Sequence, residues 1–372
     1  MDIEKGSVWV KFDVMERFMR DVFIGLGVPK KEAATCAEVL IMADKLGFDS
    51  HGISRMKPIY YDRIREGIQL PTTGLKIVRE RAGATVIDGG NGMGHVVARR
   101  AMDMAIRKAR KHGIGMSVVR NSTHFGIAGY YSLMAVKEGM IGITGTNARP
   151  SLAPTFGTEN MLGTNPLTFG IPTDEKFPFL LDCATSIIQR GKVEIYAKLG
   201  KKMPAGWVID RNGGSKTDPK KVLQDLIAGS ASLVPLGGIG EEFSGYKGYG
   251  YATAVEILSA ALQGGSYLKM LSGYKNGRKV PYPLGHFFIA INVPAFIELR
   301  TFKRIAGSIL RDLRASRKMP GARRIFTAGE KEHLNWLARR DRGVPINRET
   351  QREVIKMRDE LGLKGYKFPF KG

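Results

Sequence analysis

One stretch, residues 84–146, constrains the fold more than any other part of the chain. ATVID (84–88) reads as a strand and DGGNGMG (88–94) as a glycine-rich turn. Residues 95–112 read as a helix with Val97, Ala101, Met104 and Ala105 on one face. Arg99, Asp103 and Arg107 stand four apart on another face, where they can pair. IGMSVV (114–119) is a strand, 121–127 a histidine-bearing loop, 129–138 a helix, and MIGITGT (140–146) a strand. Strands alternating with helices of this length describe an α/β fold, with chemistry carried on loops at strand ends.

The flanks are mainly helical. Residues 12–47 read as a helix hairpin broken at Gly27, with Pro29 suited to a first helical turn. A third helix is expected from Arg55 to Glu66, ended by Gly67. The middle, 147–192, reads as loop except for a buried strand FPFLLDCAT (177–185). A second glycine-rich zone spans 229–250 and ends in GYKGYG. The tail adds a strand at 286–293, a helix near 295–316 and a basic helix near 347–361. The expected division packs 1–80 with 295–372 as one helical unit and makes 81–294 an α/β domain.

No apolar run reaches the ~18 residues of a membrane span. The start, MDIEKGSVWVKFD, lacks the basic-then-apolar order of a secretory signal. Only Cys36 and Cys183 occur, too far apart for a metal ribbon or disulfide framework. A cytoplasmic protein without a membrane role is expected. The formal net charge is +23, and residues 298–372 hold 20 Lys/Arg against 9 Asp/Glu. No helix-turn-helix, zinc-finger spacing or aromatic-interleaved basic strand accompanies that charge, so specific nucleic-acid binding is not expected. A basic surface that draws in anionic small molecules fits better.

Two short segments carry candidate chemistry, SHGISR (50–55) and NSTHFGIAGYY (121–131). His124, beside Gly126 on a tight loop, is either a general acid/base or a loop histidine bonded to a carbonyl. His51 beside Ser50 carries the same ambiguity. Arg55, four residues on, shares a face with His51 if the segment is helical, and is either a carboxylate clamp or a surface ion pair. Ser50-His51 lacks the strand–Ser–helix elbow of a hydrolase. Asp182, in an apolar strand, bonds local backbone or partners a histidine or a ligand hydroxyl. Lys247, flanked by glycines, is a cation beside ligand phosphates or a solvated loop lysine. His95, His112, His286 and His333 have no metal spacing, so no metal is expected. The Rossmann fingerprint fails: its third position falls on His95, Val97 or Phe243 in the three possible registers.

Taken in order, SHGISR, DGGNGMGHVVARRAMDMAI, NSTHFGIAGYY, LGTNPLTFGIP, LLDCATS and GYKGYG resemble the type-2 malate/L-lactate dehydrogenases. Relatives act on sulfolactate, ureidoglycolate or Δ1-piperideine-2-carboxylate. The resemblance implies a non-Rossmann α/β fold and a homodimer with its cleft between domains. It also implies hydride transfer between NAD or NADP and a small anionic 2-hydroxy/2-oxo acid. Malate is the first expectation; another 2-hydroxy acid or a cyclic imino acid is the alternative. By similarity His124 matches the proton acceptor, and Ser50, His51 and Arg55 match substrate-site residues. Some relatives assign a relay that would map to Ser50, His51 and Asp182. Ala148, Asp182, Cys183, Ala184 and Lys247 fall where relatives hold the cofactor. Two stretches, 223–244 and 264–285, look longer than in compact members and border the cleft.

Overall fold

The computed structural model describes residues 6–371. The chain opens with β1 (Val8–Val10), α1 (Phe12–Gly25) and α2 (Lys30–Leu46). α1 and α2 form the expected hairpin, and Gly47 ends α2 in a left-handed turn. The helix expected from Arg55 to Glu66 is not uniform. It runs as α3 (Ile53–Arg55), a π turn (Met56–Tyr61) and α4 (Asp62–Arg65). Pro58 explains the difference, because a proline inside a helix lacks an N–H and crowds the preceding turn, which widens to accommodate it.

Next come β2 (Lys76–Glu80), β3 (Ala84–Asp88), α5 (Gly94–His112), β4 (Ile114–Ser122), α6 (Ala128–Lys137) and β5 (Met140–Thr146). This is the alternation read from the sequence, with β4 running three residues further than expected. β6 (Leu167–Ile171) then interrupts the stretch read as loop, followed by β7 (Phe179–Cys183). β6 is short and bounded by Pro166 and Pro172, which disguises it. α7 (Arg190–Lys198), β8 (Val208–Asp210), α8 (Pro219–Ala228) and β9 (Ala231–Leu233) build a small satellite layer. α9 (Gly245–Ala260) begins inside GYKGYG, so that motif is a first helical turn rather than a loop. Its glycines are required there: a Cβ at Gly245 would lie 2.1 Å from Gly238 O, and one at Gly248 2.2 Å from Leu236 O.

A hairpin of β10 (Tyr274–Lys275) and β11 (Arg278–Lys279) leads to β12 (Leu284–Asn292). The chain closes with α10 (Leu299–Ala315), α11 (Glu330–Arg339), β13 (Val344–Ile346) and α12 (Arg348–Glu360). The seven-stranded sheet has the order β2-β3-β4-β12-β5-β6-β7. β12 lies antiparallel between β4 and β5, with Phe288 opposite both Ser117 and Thr144. Its near-continuous apolar sequence suits a strand covered on both faces. β2, β12 and β6 run against them, so β3, β4, β5 and β7 all point one way. Their carboxyl ends share one end of the sheet.

α5 and α6 cover one face through Val97, Ala101, Ala105, Tyr131 and Ala135. α9 covers the other, where Val255 meets Val118 and Phe287. A separate core joins the two ends of the chain. Met15, Phe18, Val22 and Phe23 of α1 and Cys36 and Leu40 of α2 pack with Val344, Ile346, Val354 and Met357. β1 pairs with β13 in the same region.

Two fully buried histidines make this fold sensitive to acid. His95 packs against Tyr60 and Phe23, and His286 stacks on Phe125 with centroids 4.5 Å apart. Burial pushes both down to about 3. Between that value and the ordinary ~6.5 the unfolded chain binds more protons than the folded one, so stability falls as pH drops through this window. The loss is about 2 kcal/mol per histidine at pH 5. Burial raises the carboxyls of Asp44 (to about 8) and Glu353 (to about 7), which act in the opposite sense. The measurable quantity is therefore a difference. Between pH 7 and pH 5, His286→Gln is expected to lose about 2 kcal/mol less than the parent in denaturant unfolding. Parallel pH curves would refute it.

Candidate active site

The loops that follow β3, β4, β5 and β7 open at the shared end of the sheet, and the candidate residues gather there. His124 lies just past β4. Gly94, the first residue of α5, lets that loop approach, because a Cβ there would come 2.6 Å from His124 O. The loop 47–52, between α2 and α3, brings Ser50 and His51 to meet it. The Asp44 carboxylate accepts the Ile53 N–H at 3.0 Å, and a Cβ at Gly52 would lie 2.0 Å from Asp44 Oδ1. Asn335 on α11 donates to Leu46 O at 3.1 Å. Buried Arg339 donates to Asp44 O at 2.8 Å and to both Asp49 oxygens at 2.5 and 2.9 Å. Tertiary packing thus fixes the histidine loop from beneath.

His51 and His124 stack with ring centroids 6.1 Å apart and 20° between planes. His51 Nδ1 sits 2.8 Å from Ser50 Oγ. The Tyr60 hydroxyl lies 2.5 Å from His124 Nδ1, and the Gly126 N–H points at the same nitrogen from 3.3 Å. Tyr60 is fully buried, so its O–H must donate to an acceptor. The tautomer that satisfies all three groups leaves His124 Nδ1 bare and its proton on Nε2. Burial above all, with the positive charges of Arg63 and Arg55 nearby, holds the His124 pKa well below the usual imidazole range. Burial and Arg55 lower His51 to about 4. Both rings are neutral at physiological pH.

Arg55 folds back on its own loop. Its Nε donates to Ser50 O at 2.5 Å, and one Nη stands 4.0 Å from Glu194 on α7. Gly191 covers this corner, its would-be Cβ 3.3 Å from Ser50 Cβ.

Asp182 is bonded elsewhere than the relay from Ser50 and His51 would require. Oδ2 accepts the Gly129 N–H at 2.8 Å, and Oδ1 accepts the Thr168 hydroxyl at 3.0 Å. Its carboxylate therefore ties β7 to β6 and to the start of α6. Burial raises its pKa, opposed by those two hydrogen bonds.

A second cluster adjoins these groups. The Ala148 N–H donates to Asn165 Oδ1 at 3.1 Å, and Asn165 is held in turn by Ala252 O and Glu256. Thr185, after Cys183 and Ala184, bonds the backbone at Thr164 and Asn165. The Leu236 N–H donates to Thr185 O, and Leu236 lies under Gly248 in the first turn of α9. Ala148, Cys183, Ala184 and the turn carrying Lys247 are thus linked by one strap. Lys247 is exposed, its ammonium 5.7 Å from the centre of the Tyr246 ring.

Sequence reading missed Tyr60, Arg63 and Tyr282. Tyr60 and Arg63 lie on the expected third helix, but the π turn shifts their phase relative to Arg55. Nothing in the sequence marks Tyr282. No group of three or more His, Cys, Asp or Glu side chains suited to a metal occurs among the described residues. No helix among them is long and apolar enough to cross a membrane.

Comparison with known proteins agrees with this architecture. The family model for malate/L-lactate dehydrogenase matches residues 10–355. The chain is 41% identical to a malate dehydrogenase of Pyrococcus horikoshii over 363 residues, covering 98% of each. It is 38% identical to an L-sulfolactate dehydrogenase of Methanocaldococcus jannaschii, covering 94% of this chain and 96% of that protein. The crystal structure of malate dehydrogenase from Entamoeba histolytica superposes with a TM-score of 0.93 at 45% identity, covering 98% of this chain and all of the other. The chain therefore belongs to the malate/L-lactate dehydrogenase family.

Proposed function

We propose that the protein reversibly oxidises a small 2-hydroxy acid at C2, with malate the preferred substrate, using NAD or NADP. What carries this reading is the stacked imidazole pair beside Arg55, next to the strap that links Ala148, Cys183, Ala184 and Lys247. The substrate side would be 1–80 with 295–372 and the cofactor side 81–294, with no Rossmann loop involved. The residues suit such a cofactor. Lys247 is exposed in the first turn of a 16-residue helix, where a cation and the helix dipole favour phosphate. Ala148 and Ala184 keep their side of the strap uncrowded. When bound, the nicotinamide supplies the hydride acceptor.

The chain's own groups do the rest. Arg55 turns from Glu194 to the substrate carboxylate and fixes C2 in place. His124, its proton on Nε2, donates to the C2 oxygen. His51 takes the hydroxyl proton, because Ser50 can donate to or accept from its Nδ1 and so leaves Nε2 free as a base. His124, matched by resemblance to the proton acceptor, would need Tyr60 to give up its buried donor role. Exposed Ile305, Ile309 and Leu313 form an apolar stripe on α10 that supports a homodimer. The free thiols Cys36 and Cys183 suit a reducing cytoplasm.

A panel of 2-hydroxy acids with NAD and with NADP, followed at the reduced-nicotinamide absorbance, is the test. Malate is expected to give the highest kcat/KM. Turnover only of a cyclic imino acid, or of none of these compounds, would overturn the assignment.

A further inference from the structure

The stretch 264–285 has a visible use. Its hairpin carries Tyr282 onto the guanidinium of Arg63, with the guanidinium carbon 4.7 Å from the ring centroid. Tyr282 is wedged against Gly273, where a Cβ would come 2.9 Å from its ring. Lys279 pins the hairpin to the end of α4 by contacting both Glu66 oxygens at 3.0 Å. Stacking on an aromatic face orients a guanidinium while leaving its N–H edge available.

Arg63 is half-buried, and no ion pair holds it among the described residues. Lys57, on the same helical segment, is by contrast neutralised by Asp62 at 2.8 Å. Arg63 follows Tyr60 by three residues, and Tyr60 holds His124. Its charge acts on both of those groups and on Tyr282. Arg55 and Arg63 therefore both bear on His124, Arg63 the more strongly. A half-buried guanidinium without a carboxylate, stacked on Tyr282 and three residues from the tyrosine that holds His124, is an anion site awaiting its ligand.

We propose that Arg63, set by Tyr282, recognises the second acidic group of the substrate. Arg55 takes the carboxylate on C1, while Arg63 takes the carboxylate or sulfonate beyond C3. The substrate class is then the 2-hydroxy diacids, with monoacids such as lactate disfavoured. This inference rests on the proposed reaction for its chemistry but not for its detection.

The experiment compares Arg63→Met and Tyr282→Leu with the parent, using L-malate and L-lactate. Charge-assisted hydrogen bonds of this kind are worth about 10- to 100-fold. Arg63→Met is expected to lower the malate-to-lactate ratio of kcat/KM by that factor, and Tyr282→Leu by a smaller factor in the same direction. Calorimetric titration of malate and lactate reads the contact without turnover. A parent that binds malate over lactate, with the preference lost in Arg63→Met, upholds the site even if no redox turnover is found. Equal losses for both acids, or an unchanged ratio in Arg63→Met, would overturn it.

Discussion

His51→Gln is expected to lower kcat for hydroxy-acid oxidation by about 10²–10⁴-fold, the usual worth of a positioned base. Cofactor affinity should change little, since the His51 side chain meets Ser50 and His124 rather than the strap residues. His124→Gln should act more on KM, because glutamine keeps a donor where His124 Nε2–H stood. Tyr60→Phe frees the His124 tautomer and should cost less than either. Acidity gives an independent check. Burial lowers His51 to about 4, so the base stays neutral well below the ordinary histidine range. Between pH 7.5 and 5.5 the oxidative kcat/KM should stay level, whereas an unperturbed imidazole would cost about tenfold by pH 5.5. A full loss confined to His124→Gln would return the proton to His124, and a profile bending near 6.5 would rule out a buried neutral imidazole as the base.

Arg339→Leu is expected to destabilise the fold by about 3 kcal/mol. That is the lower end for breaking a buried charged pair, because the Asp49 side chain is 56% exposed and water can replace its share. What water cannot reach is the Asp44 carbonyl, which loses its guanidinium donor. Asp44 also holds the Ile53 N–H, so the loop bearing Ser50 and His51 loosens with it. Turnover should fall at temperatures where the variant remains folded, although Arg339 touches no reacting group. Denaturant unfolding and steady-state rates on one preparation would show this. An unchanged unfolding midpoint would remove Arg339 from the account.

The legible parts of the fold were those in which local pattern and final structure agree. β3, α5, β4, α6 and β5 each alternate or repeat with their own period, and tertiary packing did not overrule them. β6 hid between two prolines, and GYKGYG was read as loop because its glycines serve close backbone approach rather than flexibility. In the site, His51 and His124 were visible as imidazoles among small residues. Asp182 was visible as a buried acid, but the choice between a backbone bond and a histidine partner depended on Gly129 and Thr168 across the sheet. Tyr282 meets Arg63 only through a hairpin far along the chain, and such meetings leave no local trace.

The position of β12 has a consequence for biosynthesis. β4 and β5, which carry His124 and Ala148 to the same end of the sheet, are neighbours in sequence but not in space; a strand translated some 140 residues later separates them. Until β12 is translated, the facing edges of β4 and β5 lack the partner they have in the finished sheet. The site is therefore completed by a pairing of long sequence separation, the kind of contact whose loop-closure entropy slows folding.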